Sequence, residues 1–494
     1  MTKRKMKIVI AGGGTAGWLT AAALSQQMGE LLDITLVESN EIGTVGVGEA
    51  TIPPMRTFHR LIGIDEQAFM RATNATFKLG IQFENWKNIG EQYFHSFGTT
   101  GKQTLITEFI HFWLKGKKIG VSSGLGDYCL EYKAALEGLF SLNSKTKLNY
   151  AFHLDAGRYA KFLRNMAEPR GVSRVEGRIV SVSQNPESGF ITSLKMENNQ
   201  EIVGDLFIDC SGFKGLLIEQ TLQTGYEYWG HWLPCDSAIA VQTTSVADAL
   251  PYTRSIAHHA GWRWQIPLQN RVGNGLVYSS AHMSDDEAMN MLLTSVDGIT
   301  LSDPKLIKFK AGVRKKAWNK NCIAIGLSSG FLEPLESTSI HMIMTSITRL
   351  LALFPHGVIK QSLVDEYNDQ AMSEYIRIRD FIILHYKATE RSDSSFWHYC
   401  KNMEVPAELM HRINLFKDVG KSYQVEGELF RIDSWLQVMM GQGIIPSSYH
   451  PVVDLMPEME LKNFLNGIKS EVNSNLAMLV KHHNFLGQYC LNVE

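Results

Sequence analysis

The sequence predicts an α/β fold organised around a dinucleotide-binding unit, with an interleaved second domain and a helical C-terminal part. Three observations carry this. A β-branched run from Met6 to Ala11 enters Gly12-Gly13-Gly14-Thr15-Ala16-Gly17 and then the helix-forming string Trp18 to Leu24. A second apolar run, Asp33 to Glu38, ends in an acid about twenty residues downstream of the glycine turn, which closes a βαβ unit. Later β-branched runs lie far along the chain, so the sheet is assembled from distant pieces.

Each element has a physical reason. Gly12 makes the tight turn, Gly14 lets the backbone approach a pyrophosphate, and Gly17 allows close helix packing. The N–H groups of Thr15 and Ala16 open a helix whose positive dipole end suits an anion. Glu38 accepts from ribose hydroxyls and disfavours a 2′-phosphate, so NADP is the poorer fit. The fingerprint alone does not separate FAD from NAD. Further strands are expected at Arg178 to Val182, Ile191 to Met196 and Leu206 to Cys210, and at Cys322 to Ile325 before Gly326. Asp209, at a strand end before Ser211-Gly212, is read either as a ribose contact or as a residue that orders the loop as a cap.

The expected cofactor domain comprises 1–50, 150–215 and 305–350, and the substrate region 51–149, 216–304 and 351–494, the last part helical. A glycine turn at the start of the chain, with its sheet completed much later, is the layout of FAD-dependent monooxygenases. That layout favours FAD.

The chain has 494 residues, 44% hydrophobic and 20% charged, which suits about two globular domains. A net charge of -2 leaves no basic excess for phosphates or anionic lipid, so neither nucleic acid nor membrane is the expected partner. Small molecules are. The six cysteines, at positions 129, 210, 235, 322, 400 and 490, include no C-x-x-C pair and suit a reducing cytoplasm as buried thiols. Lys3, Arg4 and Lys5 precede too short an apolar run for a signal peptide. The run Ile340 to Phe354 is too short and too polar to span a bilayer and reads as a core helix. No metal site is expected: His258-His259 and His482-His483 lack ligand spacing and are read as solvated positions.

Three segments carry a family resemblance: Gly46-Val-Gly-Glu-Ala-Thr-Ile-Pro53, Trp262-Arg-Trp264-Gln-Ile266-Pro267, and Phe331-Leu-Glu-Pro-Leu-Glu336-Ser-Thr-Ser-Ile340. Together they resemble the flavin-dependent, tryptophan-type halogenases over nearly the whole chain. The resemblance implies that FAD, as FADH2, reacts with O2 and with chloride or bromide to give hypohalous acid, which reaches a lysine. Lys78, in Thr76-Phe-Lys-Leu-Gly-Ile81, stands in the context of that lysine. Glu336 matches the catalytic carboxylate, to polarise the halogenating species or take the ring proton. Glu333 competes by residue type alone. The N–H groups of Thr338 and Ser339 would form the halide pocket; where Ser339 stands the family usually has glycine. Ala50, Asp209 and Gly326 join the glycine turn and Glu38 as cofactor contacts. The tryptophan pair is thought to obstruct substrate access to the flavin and so to suppress monooxygenation.

His95 and Phe97 resemble the family's substrate-lining aromatic segment. The grip that such enzymes use on free tryptophan is only partly matched: Ser422 to Trp435 retains Tyr423, Glu428 and Trp435, without a tyrosine pair. The expected substrate is therefore a small electron-rich aromatic, indole or tryptophan-like, with indole ahead of free tryptophan. Reduced flavin would come from a separate NAD(P)H flavin reductase, since no second dinucleotide fingerprint is present. A homodimer is compatible with the sequence. The alternatives are an FAD-dependent aromatic hydroxylase and a non-catalytic FAD-binding redox protein.

Overall fold

The computed structural model describes residues 4–41, 48–143, 146–355 and 357–491. Gly46 and Val47 of the first resemblance segment lie outside the described residues. The chain divides into two compact units, each built from three segments. The first comprises Met1–Ala75, Leu154–Asp236 and Lys308–Ile376; the second comprises Thr76–His153, Ser237–Ile307 and Arg377–Glu494.

The first unit is the α/β part. Its six-stranded sheet runs in the order Trp318–Asn319, Cys322–Ala324, Leu206–Asp209, Met6–Ala11, Leu32–Glu38 and Ser173–Glu176. All neighbours but the edge strand Trp318–Asn319 pair in parallel. The register aligns Ala11 with Val37 and with Asp209, so the glycine turn, Glu38 and Asp209 emerge at one edge of the sheet. That carboxyl edge is where parallel sheets bind nucleotides.

Helix Thr15–Met28 is buried from Gly17 to Ser25, including three consecutive alanines, and packs against helices Ala156–Ala167 and Ser339–Ala352. A helix enclosed on all sides gains from thin, small residues, which let its neighbours approach. Asp155 caps the Ala156–Ala167 helix by accepting from the Arg158 N–H at 2.9 Å. The strands Ile179–Gln184 and Ile191–Met196 do not extend the parallel sheet. With Glu201–Val203 they make a separate antiparallel sheet, whose residues Ile191, Leu194 and Met196 join Val9, Val37 and Phe207 in one core cluster.

The second unit is built on a seven-stranded sheet in the order Lys305–Lys308, Ser237–Thr243, Val272–Tyr278, Gly261–Pro267, Thr253–His258, Gly80–Glu84 and Gln92–Ser96. Helices Ser395–Asn402, Ala407–Val419, Ile432–Gly441, Glu458–Leu476 and His482–Tyr489 make up its C-terminal part. The run Ile340 to Phe354 forms most of helix Ser339–Ala352. Among the described residues no helix is long and apolar enough to cross a membrane.

The histidine pairs correct an expectation. His258 is half-buried with Nε2 at 3.0 Å from the Val277 carbonyl, and His482 is buried with Nδ1 at 2.7 Å from the Ala249 carbonyl. The first ring of each pair is thus tied to backbone rather than solvated, and burial lowers their pKa values to about 3 and about 4.

Candidate active site

The glycine turn is shaped for a ligand. Gly12 has φ +119°, and a Cβ there would stand 2.3 Å from the Cys210 carbonyl oxygen; at Gly17 it would stand 1.8 Å from the Gly12 carbonyl oxygen. These two glycines are required by the protein itself. Gly14 differs, since a Cβ there would meet nothing within 4 Å. Helix Thr15–Met28 also has no side-chain cap, so no side chain of its N-cap residue accepts from its first N–H groups, at Thr15 and Ala16. Bare backbone donors beside free space fit a dinucleotide pyrophosphate.

Glu38 stands at the end of its strand, accepting from Trp18 Nε1 at 3.2 Å and from Arg174 Nε at 2.5 Å. Arg174 was not found from sequence, because its strand Ser173–Glu176 is short and polar. Asp209 resolves in favour of loop order. It is fully buried, with one oxygen accepting from the Ser211 N–H and hydroxyl at 2.9 and 2.6 Å and the other from the N–H groups of Leu217 and Ile218 at 2.7 and 2.8 Å. A carboxylate so occupied does not face a ribose. Gly326, at φ +78°, has no room for a side chain because a Cβ would meet Ala16 at 2.9 Å. Ala50 is buried beside Glu49, whose pKa burial raises to about 7.

The Glu336 segment lies in the same unit. Pro334–Glu336 is a single 3₁₀ turn, Ser337 adopts φ 59°, and helix Ser339–Ala352 starts behind it. A left-handed serine costs about 1 kcal/mol and sharply redirects the chain. Glu333, Glu336 and Thr338 are all buried, so burial does not choose between the two glutamates. Thr338 and Ser339 occupy the uncapped helix N-terminus, where free N–H groups and the dipole favour an anion.

Lys78 belongs to the second unit, on strand Thr76–Lys78, and is fully buried. The Phe97 N–H donates to the Leu79 carbonyl at 2.9 Å, which holds the Phe97 ring 5.3 Å from the lysine Nζ. Gly80 makes this approach possible, since a Cβ there would stand 2.4 Å from the His95 carbonyl oxygen. His95 is buried in strand Gln92–Ser96, 5.6 Å from the Phe381 ring; Phe381 stacks on Phe430 at 3.8 Å and meets Trp435 edge-on at 4.9 Å. Flat walls of this kind suit an aromatic ring.

The partial match from Ser422 to Trp435 has another occupant. Arg412 stacks between Tyr423 and Trp435, its guanidinium 4.2 and 4.1 Å from their centroids, and pairs with Glu428 at 2.9 Å. Glu428 also accepts from the Val425 N–H at 3.0 Å, while the Tyr423 hydroxyl is bound to Glu408 at 2.7 Å. Arg412 was missed, although it shares the buried stripe of its helix with Leu409 and Phe416. An arginine at helical spacing between apolar residues is a signal for a buried ion pair.

Trp262, Trp264 and Ile266 alternate on strand Gly261–Pro267, and all three are buried. Their period of two turns them to one face. Trp264 lies opposite Gly275 in the ladder, and a Cβ on that glycine would stand 2.0 Å from the indole. Pro267 ends the strand and offers its carbonyl to Thr76 at 2.7 Å. Among the described residues no cluster of histidine, cysteine and carboxylates could hold a metal.

The chain matches the family described as tryptophan halogenase over residues 7–458. A solved flavin-dependent halogenase from Xanthomonas campestris is 53% identical, with a TM-score of 0.97 over 99% of each chain. Another, from a Brevundimonas species, is 45% identical, with a TM-score of 0.94 over 98% of this chain and 99% of that one. The curated tryptophan 6-halogenase of Streptomyces toxytricini is 36% identical over 447 residues, 84% of each chain. A match across nearly the whole length, on a sheet edge and glycine turn shaped for a dinucleotide, establishes that this chain belongs to the tryptophan halogenase family of flavin-dependent enzymes.

Proposed function

We propose that the chain is an FADH2-dependent halogenase that substitutes chlorine or bromine onto an electron-rich aromatic of the indole class. Gly12, Gly14, Gly17 and the N–H groups of Thr15 and Ala16 would hold the pyrophosphate, with Glu38 toward the ribose. Reduced FAD, when bound, would supply two electrons to O2, which takes two more from the halide, so that hypohalous acid and water form. The N–H groups of Thr338 and Ser339 hold the halide. Lys78 receives hypohalous acid by hydrogen bonding or as a haloamine and presents the halogen to the aromatic ring, and Glu336 polarises that species or takes the ring proton.

The observation that carries this reading is Lys78 itself, fully buried against Phe97. Full burial puts the amine out of reach of bulk water, and that enclosure keeps a reactive halogen species from hydrolysis.

Arg412 narrows the substrate. Glu428, Tyr423 and the face of Trp435 are already engaged, so an amino acid zwitterion relying on them would have to break these contacts or be buried without them, at a cost of several kcal/mol. The substrate is a small indole without a charged tail rather than free tryptophan. Reduced flavin comes from a separate NAD(P)H flavin reductase. The six cysteines form no disulfide among the described residues, which suits a reducing cytoplasm.

The test is purified protein with FAD, a flavin reductase, NADH, oxygen and bromide or chloride, offered indole and tryptophan in parallel. Product mass is read for the halogen isotope pattern. A halogenated indole that disappears with Lys78→Ala supports the reading. An oxygenated product formed without halide replaces it with a hydroxylase, and retained product in the variant removes Lys78 from the mechanism.

A further inference from the structure

Strand Thr76–Lys78 has only three residues and pairs antiparallel with Ala151–Leu154, aligning Thr76 with His153 and Lys78 with Ala151. Paired residues point to the same face of a sheet, as do residues two apart. Thr76, Lys78, Ala151 and His153 therefore share one face. Phe77 and Phe152 take the other, where Phe77 stacks on Phe140 at 4.1 Å. Ala151 leaves space opposite the lysine stem, and the imidazole of His153 stands one pair further along.

The hydrogen bonds at this ring have a defined direction. The Thr76 Oγ1 lies 2.7 Å from the Pro267 carbonyl, which can only accept, so the single hydroxyl proton of Thr76 goes there. Toward His153 Nδ1, 2.9 Å away, the same oxygen can then only accept, and Nδ1 must carry a hydrogen. In the neutral ring Nε2 is an acceptor, and it meets the Thr253 Oγ1 at 2.9 Å. His153 is fully buried, and burial, then Lys78, then His482 hold its pKa well below the ordinary value of 6.5. His482 does not replace Lys78 as a charged neighbour, since its own pKa is lowered to about 4.

One ring thus fastens a short strand at two points. Through Thr76 it reaches Pro267, at the end of the Trp-x-Trp strand, and through Thr253 it reaches the strand paired with Gly80–Glu84. Behind Lys78 the chain is held by the backbone bonds of Leu79 to Pro251 and Phe97, and the side-chain ties fasten the strand at its other end, at Thr76.

We propose that His153 is the positioning residue of Lys78: as the neutral Nδ1–H tautomer, clamped between Thr76 and Thr253, it fixes the lysine strand to the Trp-x-Trp strand and keeps a second positive charge away from the amine. The proposal rests on Lys78 as the halogen-transferring residue.

Two measurements on the full-length protein test it. In the first, nitrogen NMR of the ¹⁵N-histidine-labelled, flavin-free chain follows each imidazole with pH. His482, whose Nδ1 faces the Ala249 carbonyl, shares the neutral Nδ1–H signature, so the expectation is that, of the rings that keep this signature down to about pH 5, one vanishes in His153→Asn. In the second, the flavin-loaded enzyme with its reductase is assayed for halogenated indole, and a thiol scavenger reports escaped hypohalous acid. His153→Phe is expected to lower kcat by about tenfold or more while KM for indole stays within about twofold. Scavenged oxidant should rise as product falls. His153→Asn, whose amide still donates to Thr76, should recover most of the loss.

An Nε2–H tautomer, or a ring that protonates near 6.5, overturns the proposal, as does a wild-type kcat in His153→Phe. Equal losses in the Phe and Asn variants, with no rise in escaped oxidant, reduce His153 to a structural residue and also overturn it. If wild-type protein gives no halogenated product, the halogenase reading fails, whereas the tautomer is still read independently by NMR.

Discussion

The guanidinium of Arg412 lies 4.1 Å from the centroid of the Trp435 ring, so this indole face is covered by the protein's own cation. The same guanidinium pairs with Glu428, at side-chain exposures of only 5% and 2%. Arg412→Met would leave a carboxylate buried without its partner, at a cost of roughly 3–5 kcal/mol, while Arg412→Met with Glu428→Gln should recover most of it. Urea unfolding of the two variants measures this. The single variant should also gain activity on tryptamine relative to indole, because its ammonium can pair with Glu428. An unchanged preference would remove Arg412 from substrate selection.

The dinucleotide part was legible because its signals are local. The spacing from Gly12 to Gly17 and the acid at Glu38 describe one turn and one strand end, and Ala11, Val37 and Asp209 meet in register at the predicted edge. The strands Ile179–Gln184 and Ile191–Met196 were legible as strands but not as a separate sheet, because partner choice depends on contacts that the local pattern does not contain. Lys78 was visible only through its neighbours in sequence. His153 gave no signal: Ala-Phe-His-Leu reads as an ordinary buried strand, and its two threonine partners lie 77 and 100 residues away. The opposite case is Asp209, visible as an acid at a strand end, where spacing did not distinguish a ribose contact from the cap that its four donors make it.

Stability should fall as the solution is acidified below the ordinary histidine range. His59, buried with Nε2 at 2.8 Å from the Tyr159 hydroxyl, has its pKa lowered from 6.5 to about 3 by burial, and burial lowers His482 from 6.5 to about 4. Between these folded values and 6.5 the unfolded chain binds more protons than the native one, so unfolding free energy rises with pH. Each ring contributes a slope of up to roughly 1.4 kcal/mol per pH unit in that window. The slope is absent above 6.5, where both states are neutral. Urea unfolding across the window should show it, and His59→Phe should flatten it by one ring's share. A slope unchanged by the substitution would assign the effect elsewhere.

Gly14 and Gly17 should separate cofactor binding from folding. A Cβ at Gly17 would stand 1.8 Å from the Gly12 carbonyl oxygen, a backbone atom that cannot swing aside, so Gly17→Ala should destabilise even the flavin-free protein by roughly 1–3 kcal/mol. A Cβ at Gly14 meets nothing within 4 Å, so Gly14→Ala should unfold within about 1 kcal/mol of wild type. What the Gly14 methyl fills is the approach to the helix N-terminus, where the pyrophosphate would lie. FAD affinity should therefore fall by about tenfold or more, or ~1.4 kcal/mol, in a variant whose own stability is nearly unchanged. Flavin fluorescence titration beside flavin-free urea unfolding reads both quantities. If Gly14→Ala binds FAD as wild type does, the open side of this turn is not where the cofactor sits.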